Sequence, residues 1–337
     1  MGKLIIKLEK NPWILYMLAI VLVFPALLIN LGKHPFTSDE QIRGLVALEM
    51  LIRDNFMVPT MHGDFYLKKP PLFNWIILAY AWVFGNFDEF SLRLPTVVSS
   101  ILYAATVFYF FRKHFGNKVA FANAIVLLTC GRMLFWDTQL ALIDITFSWV
   151  IFINFMIIYE YFNKGKFWQL FLISYALTAI AFMLKGLPSV VFQGTTLLVF
   201  FIYKKRFLKL ISWQHVAGIL LFVFLLGIYY LMYFKSFPGT FEDVISTLFA
   251  ETTRRTVLRF GWERTLLHLL TFPFEQMYHF LPWSVLIILL FRKKLFKKLF
   301  SHPLIKYNAV IMLANIIVYW TSPEVHPRYL LMFVPLF

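Results

Sequence analysis

Long apolar segments, separated by short clusters of lysine and arginine, run through almost the whole chain. A membrane-spanning helix needs about 20 mostly apolar residues. The candidates are segments 13–31, 94–111, 119–136, 143–162, 167–184, 187–203, 213–234, 277–291 and 307–322, with a last one beginning near Tyr329. The 337 residues are 60 % apolar and 15 % charged, whereas soluble domains average about 45–50 % and about 25 %. This pattern predicts an all-α, polytopic transmembrane helical bundle. It excludes a soluble globular enzyme, a disordered chain and a disulfide scaffold.

The first apolar segment follows Lys3, Lys7 and Lys10, as in a signal peptide. It is longer than a signal-peptide core and no small-residue cleavage site follows, so we expect a retained first helix with a cytoplasmic N-terminus. Segment 71–84 has 14 residues, a length that fits an interfacial or re-entrant helix better than a span.

The basic residues divide unevenly between the two sides of this predicted topology. If segment 71–84 does not cross, the inner side carries 18 of the 32 Lys and Arg residues, opposed only by Glu9 and Glu160. Positive charge of this kind marks cytoplasmic loops. The net charge of +15 is therefore a topology signal, and we expect no nucleic-acid partner. The result is a single domain over 1–337 with about nine or ten spans and outside loops at about 32–93 and 235–276.

Two further features concern covalent chemistry and the end of the chain. Cys130 is the only cysteine, so it forms no internal disulfide. Only nine residues remain from Tyr329 onward, which is about half a span. We therefore expect the sequence to continue into further helices in the intact protein.

Acidic residues directly follow the first apolar segment, at Ser38-Asp39-Glu40. Ser38 is placed to cap a helix over 39–53, and carboxylates at a membrane edge are costly unless they are solvated or used. The alternative is that Asp39 and Glu40 simply favour a helix N-terminus through its dipole. Asp144, at the start of segment 143–162, is either solvated or faces a central cavity beside Asp39. Two carboxylates that meet in such a cavity would suit general-base work or cation binding.

Basic residues recur on the predicted outer side. Lys69 precedes a Pro-Pro pair, and Lys185 stands between two apolar segments with almost no loop. Such cations either bind a lipid phosphate or reach toward lipid headgroups. Arg255 in the second loop and Arg328 near the last segment have the planar fork that matches phosphate oxygens. Arg132 and Asp137 are expected to form an ion pair with a structural role at the membrane interface. The spacing of the histidines resembles no zinc site.

The ordered set of these motifs resembles the polytopic GT-C glycosyltransferases that use lipid-phosphate-linked sugars. Within these enzymes, the chain is most similar to the bacterial lipid A aminoarabinose transferases and their relatives, the protein O-mannosyltransferases. The resemblance covers essentially the whole chain. The matching residues are Asp39-Glu40, Lys69-Pro70-Pro71-Leu72 with Trp75, Arg93-Leu94-Pro95, Asp144, Lys185-Gly186 and Arg328-Tyr329.

The resemblance implies roles for particular residues. Asp39 would be the principal catalytic acid, with Glu40 beside it and Asp144 as the second acid of the cavity. Lys69 would contact the donor phosphate. The residues that would assist it are Lys185, Arg255, Arg43 and Arg328.

Two positions depart from the pattern of these transferases. The transferases carry an acid just before Lys-Pro-Pro, where this chain has Lys68. No metal ligand is therefore assigned, and a divalent metal is the one cofactor left open. Arg43 also lies one residue later than their usual arginine.

The expected function is transfer of a hexose or pentose from a polyprenyl-phosphate donor, with undecaprenyl phosphate as the carrier. The acceptor would be an envelope lipid such as lipid A, a glycan or a protein, at the outer face of the inner membrane. Two alternatives remain at this point: a secondary transporter or lipid flippase, in which membrane charges line a substrate path, and a non-catalytic membrane scaffold.

Overall fold

The computed structural model describes residues 12–253 and 257–336, and α-helices make up most of them. The helices are α1 (Pro12–Leu28), α2 (Glu40–Ile52), α3 (Leu72–Phe84), α4 (Glu89–Thr129), α5 (Gly131–Phe135), α6 (Ile143–Asn163), α7 (Phe167–Lys185), α8 (Pro188–Tyr203), α9 (Trp213–Ser236), α10 (Phe241–Thr253), α11 (Val257–His279), α12 (Lys293–Leu299) and α13 (Pro303–Trp320). Short 3₁₀ helices cover Asp137–Gln139, Phe207–Ile211, Trp283–Phe291 and Pro327–Leu336. The predicted all-α class is confirmed.

The core of the bundle forms around α6. This helix packs against α4 and α7 and against the 3₁₀ helix Pro327–Leu336. Its large aromatic side chains Phe147, Phe152 and Phe155 are fully buried. A helix that is apolar on every side is stable only when other helices or lipid surround it, so α6 sits inside the bundle.

Five helices are long and apolar enough to cross a membrane, or six if one bent pair forms a single span. This finding holds for the described residues and confirms a multi-pass membrane protein. The helix predicted over 277–291 is wrong, because α11 ends at His279 and the 3₁₀ helix begins at Trp283, bent by 117°. Pro282 separates them and cannot donate a helical hydrogen bond. The helices predicted over 94–111 and 119–136 both fall largely within α4, which Gly116 breaks with φ 77° and ψ 170°.

The first long loop contains the short helices that the sequence predicts. The helix expected over 39–53 is α2, and the 14-residue apolar segment is α3, which ends at Gly85 with φ 67°. Ser38 does not cap α2, since its own φ is 57° and Asp39 occupies the N-cap position. Instead, the Glu40 carboxylate accepts the N–H of Thr37 at 2.6 Å.

A small hairpin and two further helices complete the surroundings of the site. Strands β1 (Thr60–Met61) and β2 (Asp64–Phe65) pair antiparallel between α2 and α3. The second loop forms α10 and most of α11. Val244 and Leu248 of α10 are buried in the same cluster as Tyr229 and Tyr233 of α9. This packing holds α10 against the pocket that also contains Lys69.

Candidate active site

Arg93 fastens the loop that precedes α2 to the start of α4. Its guanidinium is buried and donates to both oxygens of Glu40, at 3.0 and 2.8 Å. It also donates to the carbonyls of Leu31 and His34, at 2.7 and 2.9 Å. Glu40 in turn accepts the N–H of Ala141 at 3.0 Å. One buried ion pair therefore joins three segments and sets the position of the neighbouring Asp39.

Arg328 brings two carboxylates together that are far apart in the sequence. Its Nη2 lies 2.5 Å from Oδ2 of Asp39, and its Nε lies 3.1 Å from Oδ2 of Asp144. Lys185 Nζ lies 2.5 Å from the other oxygen of Asp144 and 3.7 Å from the centre of the Tyr329 ring. Asp144, Lys185 and Arg328 are buried, whereas the side chain of Asp39 is 48 % exposed. The cluster thus presents Asp39 as its accessible carboxylate.

Lys69 lies within electrostatic reach of this cluster. Burial, and after it the charge of Lys185, lowers the pKa of Lys69 from 10.5 to about 8. Arg43 lowers this pKa further, while Glu251 and Asp144 raise it. An ammonium group that is partly desolvated and surrounded by other cations is stabilised by an incoming anion. These surroundings are compatible with the role at a phosphate that is predicted for Lys69.

Arg43, which belongs to α2, is close enough to Lys69 to lower its pKa. Its Nη2 donates to the hydroxyl of Tyr66 at 2.6 Å, and the guanidinium lies 5.3 Å from the Tyr66 ring centre. Its Nη1 is buried and has no hydrogen-bond partner among the residues that the structure describes. Because a buried donor without a partner is costly, a ligand oxygen at Nη1 would stabilise Arg43.

Aromatic side chains enclose the pocket at Lys69. Tyr229 and Tyr233 have ring centres 5.8 Å apart, and Tyr229 lies 5.9 Å from Trp75 of α3. The Tyr229 hydroxyl donates to the carbonyl of Met57 at 3.0 Å, which ties α9 to the first loop. The residues that line this pocket with Lys69 are Pro59, Tyr66, Leu67, Pro70, Tyr229, Tyr230, Tyr233, Val244 and Leu248.

Three residues that the resemblance placed in the site form ion pairs inside the protein. Glu40 is fully buried and bound to Arg93. Lys185 and Arg328 are paired with the carboxylates of Asp144 and Asp39. The catalytic role of Glu40 and the phosphate contacts of Lys185 and Arg328 stay predictions. Arg255 lies outside the described residues. The expected pair of Arg132 and Asp137 is present, at 3.0 Å.

Sequence reasoning missed two groups in the pocket. Tyr66 orients Arg43, and Glu251 of α10 contributes negative charge near Lys69. Tyr66 stands three residues before Lys69 in the same loop, which is a local signal for its presence there. Glu251 lies almost two hundred residues away, and nothing in its neighbourhood marks it.

The residues of the site do not fit a divalent metal. Within 12–253 and 257–336, no group of three His, Cys, Asp or Glu side chains is arranged to hold a metal ion. Lys68, at the position of the acid that the similar transferases carry, is exposed. Asp39 and Asp144 are both engaged by cations of the protein. Divalent metals need oxygen or nitrogen ligands that are free to coordinate, so we derive no step through a metal.

Comparisons with known proteins show which families and structures this chain is similar to. The family model described as dolichyl-phosphate-mannose-protein mannosyltransferase matches residues 68–230. The chain has the fold of ArnT from Cupriavidus metallidurans bound to undecaprenyl phosphate, with a TM-score of 0.73 and 17 % identity over 97 % of this chain and 58 % of that one. The apo form of that protein gives a TM-score of 0.71. These matches support the resemblance to the polytopic GT-C glycosyltransferases.

Two sequence relatives show how much of the length of similar proteins the chain covers. It is 26 % identical to undecaprenyl phosphate-alpha-4-amino-4-deoxy-L-arabinose arabinosyl transferase 1 of Proteus mirabilis (strain HI4320), over 62 % of this chain and 38 % of that protein. It is 22 % identical to an uncharacterized protein of Aquifex aeolicus (strain VF5), over 93 % of this chain and 61 % of that protein. The chain thus spans less than two thirds of the length of either relative.

Proposed function

We propose that this protein is a membrane glycosyltransferase that takes its sugar from a polyprenyl-phosphate donor. The observation that carries the proposal is the placement of Lys69 and Arg43 within electrostatic reach of the cluster that holds Asp39. One part of the site offers positive charge to an anion, and the other offers an accessible carboxylate to a nucleophile. The similarity to a structure bound to undecaprenyl phosphate supports that lipid as the carrier.

Each group has a step in the proposed reaction. The acceptor oxygen attacks the anomeric carbon while the bond from that carbon to the phosphate oxygen breaks. Asp39 accepts the proton of an acceptor hydroxyl, or positions an acceptor phosphate that is already ionised. Lys69 and the Nη1 group of Arg43 stabilise the charge on the departing polyprenyl phosphate. Arg328 holds the Asp39 carboxylate in place, and attack opposite the leaving group inverts the anomeric centre.

The surroundings of the pocket support a lipid-borne donor. Trp75, which contacts Tyr229, also lines an apolar groove of about 810 Å³ together with Phe56, Trp82 and Phe87. Apolar and aromatic surface of this kind suits a hydrocarbon chain. A donor that stays in the bilayer explains why the site lies beside membrane helices. We place the site at the outer face of the inner membrane, with an envelope lipid such as lipid A, a glycan or a protein as acceptor.

Replacing Asp39 by Asn tests the proposal. The purified protein receives a panel of radiolabelled polyprenyl-phosphate hexoses and pentoses, with a membrane extract as acceptor. Because the carboxylate handles the acceptor proton, we expect Asp39→Asn to lower transfer by at least about a hundredfold. The affinity for the donor should change by less than about twofold and the melting temperature by only a few degrees, since Arg328 keeps its contact with Asp144.

The matched control is Asp64→Asn, which removes an exposed carboxylate from the same loop, in β2. This variant should transfer sugar at the wild-type rate. Full transfer by Asp39→Asn would overturn the catalytic assignment. A wild-type protein that binds polyprenyl phosphate yet transfers no sugar would favour a lipid carrier or flippase.

A further inference from the structure

A dense group of cations surrounds α12, at the end of the bundle away from Lys69. Each of its members is exposed. Within 12–253 and 257–336, none of them forms an ion pair with an acidic side chain. The members are Arg292, Lys293, Lys294, Lys297 and Lys298. Uncompensated like charges repel one another, so this group is stabilised by an external anion.

The helix α12 separates these cations from an apolar face. At about 100° per residue, the four lysines fall within one sector of about 140°. The four apolar residues that alternate with them fall in the opposite sector, and two of them, Phe296 and Phe300, stack with ring centres 4.3 Å apart. The other two are Leu295 and Leu299. A short helix with a lysine face and an apolar face is typical of segments that lie in a membrane surface.

The neighbouring segments favour a position of α12 near the lipid headgroups. The 3₁₀ helix Trp283–Phe291 leads into α12 and exposes large apolar side chains, including Ile288 and Phe291. Its nine residues rise only about 18 Å at about 2 Å each, less than the thickness of a bilayer core, about 30 Å. After α12, His302 packs against Phe115, close to the break in α4. The segment therefore ends near the membrane surface, on the side predicted to be cytoplasmic.

We propose that α12 lies in the membrane surface and binds anionic phospholipids through their phosphate headgroups. The apolar face enters the acyl region, and the lysines donate hydrogen bonds to phosphate oxygens as flexible point charges. The apolar face favours a lipid over a soluble polyanion, because a soluble partner would leave Leu295 and Phe296 in water. This inference is independent of the glycosyltransferase proposal, since none of its residues belongs to the site at Lys69.

The test counts lipids that remain bound to the purified protein. The protein in detergent is titrated with phosphatidylglycerol or with phosphatidylcholine, and bound lipids are measured by native mass spectrometry. The test variant replaces Lys293, Lys294, Lys297 and Lys298 by Gln. We expect it to bind phosphatidylglycerol at least tenfold more weakly than the wild type, with phosphatidylcholine binding unchanged.

A matched variant removes the same charge elsewhere on the same predicted side. It replaces Lys204, Lys205, Arg206 and Lys209, which surround the 3₁₀ helix Phe207–Ile211, by Gln. Its affinity for phosphatidylglycerol should change by less than about threefold, and replacing the four α12 lysines by Arg should preserve binding. If the α12 glutamine variant does not fold, K294Q and K298Q are measured singly, each with an expected two- to threefold loss.

Three outcomes would overturn the inference. The first is unchanged phosphatidylglycerol binding in the α12 variant. The second is an equal loss in the matched variant, which would mean that total charge and not α12 attracts the lipid. The third is displacement of the lipid by millimolar inorganic phosphate, which would indicate a site for free anions.

Discussion

The ammonium group of Lys69 loses its proton close to physiological pH. With a pKa of about 8, about nine-tenths of it is charged at pH 7 and about one-tenth at pH 9. Polyprenyl phosphate keeps its second charge over this range, because the second pKa of a phosphate ester is about 6. Since a bound phosphate needs the charged lysine, we expect affinity for polyprenyl phosphate to fall about tenfold from pH 7 to pH 9. Quenching of tryptophan fluorescence by added polyprenyl phosphate measures this affinity at each pH.

Two lysine variants separate Lys69 from other titrating groups. Arginine stays charged at pH 9, so Lys69→Arg should bind with nearly the same affinity at both pH values. Lys68→Arg changes the exposed neighbour and should keep the tenfold decline. A decline that persists in Lys69→Arg would show that another group controls phosphate binding.

The sequence alone does not determine which of the adjacent residues Asp39 and Glu40 faces the site. The sequence marks both carboxylates as candidate site residues, and both follow the first apolar segment. In the structure Asp39 is about half exposed and bound to Arg328, whereas Glu40 is buried and bound to Arg93. One step along a helix turns a side chain by about 100°, so neighbours face different surroundings. Which of the two faces the site depends on the distant arginines.

The pair of Glu40 and Arg93 joins α2 and α4 to the loop before α6. Breaking a buried pair from one side typically costs about 3–5 kcal/mol, because the remaining charge has no partner. Arg93 keeps its carbonyl acceptors, so we expect Glu40→Gln to lower stability by about 3 kcal/mol, near the lower limit of that range. Thermal unfolding in detergent measures this loss. Below the unfolding transition, the variant should retain far more transfer activity than Asp39→Asn.

An exposed ion pair serves as the control for this anchor. Arg264 and Glu324 lie 3.6 Å apart at the surface, and such pairs contribute about 0–1 kcal/mol. Glu324→Gln should therefore leave unfolding nearly unchanged. The double variant Glu40→Leu with Arg93→Met should lose less stability than the sum of its single changes. If Glu40→Gln unfolds like the wild type yet transfers no sugar, Glu40 is catalytic and not structural.

The arrangement of the whole molecule was only partly readable from the sequence. Apolar runs predict most helices because length and hydropathy are local properties. They locate the break in α4 at Gly116, which lies between two predicted helices. They fail at Pro282, where a missing N–H decides where a helix breaks. Proximity of Asp39, Asp144, Lys185 and Arg328 is not local at all, since it depends on how α2, α6, α7 and the last 3₁₀ helix pack. Resemblance supplied this grouping, and the contacts supply its geometry.

Orientation across the membrane is a property of the whole molecule that cysteine labelling measures. Cys130 is the only cysteine and is buried, so an introduced cysteine reports its own position. Lys68 lies in the loop of the site, and Lys166 lies between α6 and α7; both are exposed. Because positive charge accumulates on the cytoplasmic side, we expect a membrane-impermeant maleimide to label Lys68→Cys in intact spheroplasts and Lys166→Cys only after permeabilisation.

The two variants act as mutual controls, since each one reports a side that the other does not. The unmodified protein should show negligible labelling, because the Cys130 thiol is inaccessible and burial raises its pKa to about 11, which leaves little reactive thiolate. Labelling of Lys166→Cys in intact spheroplasts, with Lys68→Cys protected, would put Asp39 and Lys69 in the cytoplasm. The donor would then be consumed on the inner leaflet, and the basic surface at α12 would face the outside. The expected pattern instead places sugar transfer and lipid binding on opposite surfaces of one bundle.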